Sequence, residues 1–224
     1  MSELRNRLAG RFIVIDGPDG GGKSTQIRLL AEHLRARGVD TITTRDPGGT
    51  PIGDRIREVL LNLDHDEMAV ACETMLYMAS RAQLAEEVIR PALAKGRCVI
   101  CDRYISATIA YQGAGGADPE AIRAAGRIAV GKTWPDLTVI LDVPAETGLE
   151  RRGKAAELDR MESKAATFHR KVRELFLSQA ADDPRHFRVI DAAPPVEQVH
   201  QMLREAVESA FGGDGERARR PRCP

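Results

Sequence analysis

Five short runs of apolar and β-branched residues punctuate the chain, and between them apolar positions recur every three or four residues. The first run, Phe12-Ile13-Val14-Ile15-Asp16, is closed by a glycine and predicts a strand. Ile27, Leu30, Ala31 and Leu34 then repeat at helical spacing as far as Gly38. Residues 39–44 predict a second strand, 97–101 a third, 137–143 a fourth and 187–190 a fifth. Residues 51–95 read as mostly helical, with breaks near Asp64 and before Pro91, and another helix begins at about Ile105. Strands separated by helices imply an α/β fold: a five-stranded parallel sheet with helices on both faces in three layers. Ligands of such sheets bind outside the carboxyl ends of the strands. Functional residues should therefore gather after the first three strands.

After the first strand stands Gly17-Pro18-Asp19-Gly20-Gly21-Gly22-Lys23-Ser24-Thr25, which satisfies GxxxxGK[ST] between a strand and an amphipathic helix. Glycines let backbone N–H groups curl around an anion without Cβ clashes, and the helix N-terminus adds partial positive charge. Lys23 is placed to reach the β- and γ-phosphates of ATP and Ser24 to ligate Mg²⁺. This makes the chain a P-loop NTPase. Asp102 is followed three residues later by Ile105 rather than glycine, and no NKxD occurs. Switch-type GTPases are thereby disfavoured and small-molecule kinases retained.

Composition narrows the class further. The 224 residues fit one domain, and 33 basic residues balance 33 acidic ones, which argues against a general nucleic-acid binder. No apolar run approaches the roughly 18 residues of a membrane span, and the first eleven residues hold no apolar signal core, pointing to a cytoplasmic enzyme. Cys98 and Cys101 form a CxxC, but positions three apart on a strand face opposite ways, so both read as small buried hydrophobes. The expected organisation is a lead at 1–11, a domain at 12–211 and a disordered, arginine-rich tail at 212–224.

The acceptor side carries further motifs. Thr44-Arg45-Asp46-Pro47-Gly48-Gly49-Thr50-Pro51 follows the second strand, and Asp102-Arg103-Tyr104 and Ala110-Tyr111-Gln112-Gly113 follow the third. Leu76-Tyr77-Met78-Ala79-Ser80-Arg81 lies between them. Together with Asp19 in the P-loop, this set resembles the thymidylate kinase family over about residues 11–210. The resemblance implies the nucleoside-monophosphate kinase type of fold, transfer of the γ-phosphate of ATP to dTMP with Mg²⁺, and a homodimer. It implies that Arg103 and Arg45 bind the acceptor phosphate, a role suited to guanidinium forks. It further implies that Tyr77 stacks on the thymine while Arg81, one helical turn on, hydrogen-bonds the base edge. Asp19 then lies near the acceptor 3′-hydroxyl, Tyr111 fills the space of a ribose 2′-hydroxyl, and Thr108 and Gln112 add polar contacts. Pro47 completes the acceptor set, and Asp102 joins Ser24 at the metal.

Residues 144–162 hold Arg151, Arg152, Lys154 and Arg160 around small residues, a composition suited to a lid that closes over the triphosphate. Some family members carry a basic residue directly after the P-loop aspartate. Here that position is Gly20, so the lid is expected to supply the catalytic cations, from Arg151, Arg152 and Arg160, with Lys154 behind them. Two departures concern the acceptor: Asp46 stands where glutamate is commoner, and Ala107 where serine is common, with Ser106 one place early. A one-residue slip on a helix turns a hydroxyl by about 100°, so Ser106 is not expected to take over. A kinase for another small acceptor, a regulator that hydrolyses or senses ATP, and a bifunctional or degenerate paralogue, hinted at by Ala107, are the rival readings.

Overall fold

The computed structural model describes residues 2–153, 159–161 and 164–212. Five strands, β1 (Phe12–Asp16), β2 (Thr41–Arg45), β3 (Cys98–Asp102), β4 (Leu137–Asp142) and β5 (Phe187–Asp191), form one parallel sheet in the order β2-β3-β1-β4-β5. Every strand lies within two residues of its expected place. β1 is covered on both faces, and all five of its residues are buried. Burial on two sides is why it reads as an unbroken apolar run rather than an alternating one.

The pleat divides the core in two. Ile13 and Ile15 of β1, with Cys98 and Ile100 of β3, pack against α2 (Lys23–Ala36) and α10 (Val196–Ala210) through Leu30, Leu34, Val199 and Leu203. Phe12, Val14, Val99 and Cys101 face the other way, toward α4 (Val70–Leu84), α6 (Ile105–Ala114) and α7 (Pro119–Val130). A third cluster joins Ala110 and Tyr111 of α6 to Val172 and Phe176 of α9 (Ala166–Asp182) over Ile140. The two cysteines of the CxxC thus sit on opposite faces, and burial pushes the Cys98 thiol up to about 12.

Two expectations change. The lead at 1–11 is part of the domain: residues Ser2–Leu8 form a helix, α1, whose Leu8 is fully buried with Leu34 and Val207. The expected break before Pro91 is also absent. α4 runs through a π-helical turn, Ala85–Ile89, into α5 (Arg90–Ala94). Pro91 cannot donate to the carbonyl four residues back and would crowd it; the looser winding just ahead relieves both constraints. The break near Asp64 is real: α3 (Pro51–Leu61) stops at Asn62, whose side chain accepts from the Asp64 N–H at 3.0 Å. α3 itself begins at Thr50, whose hydroxyl oxygen accepts from the Gly53 N–H at 3.0 Å. No described helix is long and apolar enough to cross a membrane.

Leu34 is fully buried where α1, α2 and α10 meet the sheet. Leu34→Ala should destabilise the fold by about 2–5 kcal/mol, read as a lower denaturant midpoint with an unchanged slope.

Candidate active site

β1, β3 and β2 end at one level because their parallel register sets Ile15 beside Asp102 and Asp102 beside Arg45. Their C-terminal loops therefore open into one cavity of about 980 Å³. Asp19 through Gly22 line one wall of it, and α2 starts at Lys23 with Ser24 and Thr25 exposed in its first turn. Two glycines there are obligatory. A Cβ on Gly17 (φ +123°) would lie 2.5 Å from the Leu141 carbonyl oxygen. On Gly20 (φ +76°) it would lie 2.2 Å from the Gly148 carbonyl oxygen, in α8 (Ala145–Gly153). The P-loop and α8 touch backbone to backbone, so this chain has no room for a side chain after Asp19.

Lys23 Nζ donates to the carbonyls of Pro18 (2.8 Å) and Gly17 (3.1 Å) and stands 3.9 Å from Asp19 Oδ1. Burial, and then the charge of Arg103, lower its pKa to about 8. An ammonium has three donors, so one remains for a phosphate.

Arg103 sits at the centre. Its backbone adopts φ 66°, a left-handed conformation uncommon outside glycine, which brings its guanidinium back toward the P-loop. Nη1 donates to Gly17 O (3.1 Å) and Asp16 Oδ1 (3.3 Å), and Nη2 to Asp19 and to the Tyr111 hydroxyl (3.1 Å). The guanidinium carbon lies 4.9 Å from the Tyr111 ring centroid. Tyr111 donates in turn to Asp19 Oδ2 at 2.6 Å. Asp19, Tyr111 and Arg103 form one bonded cluster.

Arg81 is almost fully buried one layer further out. Its Nε pairs with Asp46 Oδ2, Nη2 donates to Thr108 Oγ1 (2.9 Å) and Tyr104 O (3.1 Å), and Nη1 meets Met78 Sδ at 3.1 Å. Asp46 Oδ1 is buried with no hydrogen-bond partner, and burial raises the Asp46 carboxyl despite Arg81. Tyr77, half-buried, and Pro47 line the cavity together with Arg81 and with Ala107, Thr108 and Gln112 of α6. Ser106 turns away: its hydroxyl donates to Asp16 Oδ2 at 2.6 Å, so it supports β1 and leaves Ala107 on the cavity wall. Arg45 lines the mouth, exposed and paired with Asp54 at 3.1 Å. Asp102 Oδ1 is buried without a hydrogen-bond partner, and Asp102 and Ser24 both line the cavity. An orphaned carboxylate oxygen and a hydroxyl on one cavity wall are oxygen donors of the kind that suit a Mg²⁺ otherwise held by phosphates and waters.

The expected lid cations separate. Arg151 donates to Ala192 O (2.9 Å), Ala193 O (2.9 Å) and Gly20 O (3.5 Å), at the P-loop side of the cavity. Arg160 instead lies buried against α3 and α4: Nε donates to Leu60 O at 2.9 Å and Nη2 pairs with Glu73. Lys154 and the side chain of Arg152 fall outside the described residues, as does the tail from 213. Four contributors were not anticipated. Asp16 collects the Gly17 N–H, Ser106 and Arg103, and burial raises its carboxyl. Arg57 lines the cavity and donates to Pro47 O at 3.2 Å. Glu73 binds Arg160 and Gln112. The 192–196 loop closes the side next to Arg151. Only Glu73 left a usable signal: it precedes Tyr77 by four residues, as Tyr77 precedes Arg81, so all three share one helical face.

A strand, a P-loop and a helix N-terminus sharing a cavity with arginines from neighbouring strand ends define a P-loop kinase of the nucleotide-kinase type. The family model described as thymidylate kinase matches residues 15–203. The thymidylate kinase of Alcanivorax borkumensis is 46% identical over 202 residues, covering 90% of this chain and 97% of that protein. That of Thermomicrobium roseum is 47% identical over 190 residues, covering 84% and 90%. The crystal structure of thymidylate kinase from Ehrlichia chaffeensis superposes with a TM-score of 0.73 at 29% identity, covering 89% of this chain and 99% of that one. The chain belongs to the thymidylate kinase family.

Lys23 is fully charged well below its pKa of about 8 and loses charge as pH rises through it. ATP affinity should therefore be flat below pH 7 and fall by up to about tenfold per pH unit above 8. Lys23→Arg, which stays charged, should flatten the profile; titration calorimetry across pH 6.5–9.5 reads both.

Proposed function

We propose that this protein transfers the γ-phosphate of ATP to dTMP, giving dTDP and ADP for dTTP synthesis in the cytoplasm. The observation that carries the reading is a shared cavity: Arg103 touches the P-loop at Gly17 and Asp19 and the sugar-side Tyr111 with one guanidinium. Donor and acceptor phosphates bound there would meet across that group.

The P-loop amides and Lys23 hold the donor phosphates. Ser24 and Asp102 would hold Mg²⁺, which supplies charge neutralisation on the phosphate oxygens when bound. Arg103, with Arg45 at the mouth, grips the acceptor phosphate, whose anionic oxygen needs no strong general base to attack in line. Asp19 and Tyr111 face the sugar; Tyr77, Arg81, Pro47, Thr108 and Gln112 enclose the base. Arg151 is the described lid cation on the donor side, with Arg152 beside it in sequence. Arg160, held in its ion pair with Glu73, acts from the acceptor side instead. Ala107 leaves a methyl where a hydroxyl could have donated, so base contacts rest on Arg81, Thr108 and Gln112. The protein works as a homodimer; exposed Ile52 and Val59 on α3 and Met75 on α4 support an apolar contact surface on that helix pair.

ADP release with ATP and Mg²⁺ should be strongly stimulated by dTMP, more weakly by dUMP, and not by thymidine. Stimulation by another acceptor, or hydrolysis indifferent to acceptor, would overturn the reading. Lys23→Ala should lower turnover by about 10²–10³ or more without unfolding the chain. Light scattering should give about twice the 24.5 kDa chain mass.

A further inference from the structure

Behind the cavity wall at Gln112 lies a buried charge pair. Glu73, on α4, is nearly inaccessible, and its two oxygens have different partners. Oε2 pairs with Arg160 Nη2, and Oε1 accepts from Gln112 Nε2 at 2.6 Å. Arg160 is itself fixed from two sides: its Nε donates to Leu60 O at 2.9 Å and its backbone N–H to Leu61 O at 3.3 Å, both at the C-terminal end of α3.

A carboxylate paired with a guanidinium is an acceptor only. Gln112 must therefore turn its amide nitrogen toward Glu73, which directs its carbonyl oxygen, Oε1, the other way. Gln112 lines the cavity, and its Oε1 receives no donor among the described residues. Arg81, which also lines the cavity, offers the opposite polarity. Among the described residues its Nη1 donates only to the Met78 thioether, a weak acceptor that a ligand oxygen readily replaces.

We propose that Glu73, held by Arg160, is the specificity-determining positioning residue of the base pocket, because it locks Gln112 in the one amide orientation that accepts a hydrogen bond from the base. An acceptor at Gln112 and a donor at Arg81 match the imide edge of thymine or uracil, which offers an N–H beside a carbonyl oxygen. Cytosine presents the reverse pattern, a ring-nitrogen acceptor beside an amino donor, and leaves both protein groups opposed. A flipped Gln112 would present its N–H₂ and accommodate the cytosine ring nitrogen. Leaving buried polar groups unpaired is what gives such a site its discrimination. The inference rests on the dTMP reading above and gives Arg160 a role in base selection rather than in phosphoryl transfer.

The test compares the steady-state parameters of the unaltered enzyme and Glu73→Gln with dTMP and dCMP as acceptors, with ATP binding measured in parallel. A glutamine at 73 can donate as well as accept, so it releases the orientation of Gln112 while keeping the size of the side chain. The expected result is a rise of about tenfold in KM for dTMP, kcat within about threefold, and unchanged ATP affinity. The preference for dTMP over dCMP in kcat/KM should fall at least tenfold. Arg160→Gln, read the same way, should lower the preference in the same direction, and it serves alone if Glu73→Gln does not fold. Unchanged dTMP/dCMP preference overturns the inference, whatever happens to KM. So does a fall in kcat at saturating dTMP with the preference intact, the pattern of a lost phosphate contact. An unaltered enzyme that ignores dTMP would instead overturn the functional reading itself.

Discussion

One guanidinium organises the centre of this molecule. Arg103 neutralises two carboxylates, Asp16 at the end of β1 and Asp19 in the P-loop, that would otherwise repel each other. Its cost is a left-handed backbone at a residue with a side chain. The cost is offset because β1 and β3 are neighbours in register, so the residue following Asp102 is already level with Asp16. Without that guanidinium, Asp16 would be a buried charge with only Ser106, the Gly17 N–H and the nearby Lys23 to stabilise it. The strained turn, the Asp16–Ser106 bond and the Asp19–Tyr111 bond are thus one device. It ties β1, the P-loop and α6 into one wall of the cavity.

A second constraint comes from packing. Gly20 and Gly148 bring the P-loop and α8 into backbone contact, and a Cβ on either would strike the other's chain. A cation that a side chain at 20 could have supplied must then come from elsewhere. Arg151, three residues along α8, lies at the P-loop edge of the cavity with its guanidinium across the 192–193 carbonyls. Close approach of two glycines and delivery of an arginine are two consequences of one docking geometry. The other arginine expected in this role, Arg160, is drawn to the opposite side of the cavity by Glu73, where it braces α3 and α4.

Much of this was legible in the chain. The strands were readable because a parallel sheet covered on both faces needs uninterrupted apolar runs, and the P-loop because glycine spacing before a helix has few other uses. Asp19, Arg103 and Tyr111 were named from motifs, and the structure joins them in one hydrogen-bonded cluster. The π-helical turn before Pro91 and the burial of Leu8 were not legible. Both depend on what packs against the segment, and no local pattern carries that.

The sequence by itself determined the order and type of the elements, the phosphate cradle and the family, because these follow from local periodicity and short-range spacing. Tertiary structure alone decided which charges meet. Asp16 with Arg103, Glu73 with Arg160, and Ser106 turned from the cavity to Asp16 are contacts between residues about 87 to 90 positions apart. Pairing of buried charge is governed by distance and desolvation in three dimensions, and separation along the chain says nothing about either.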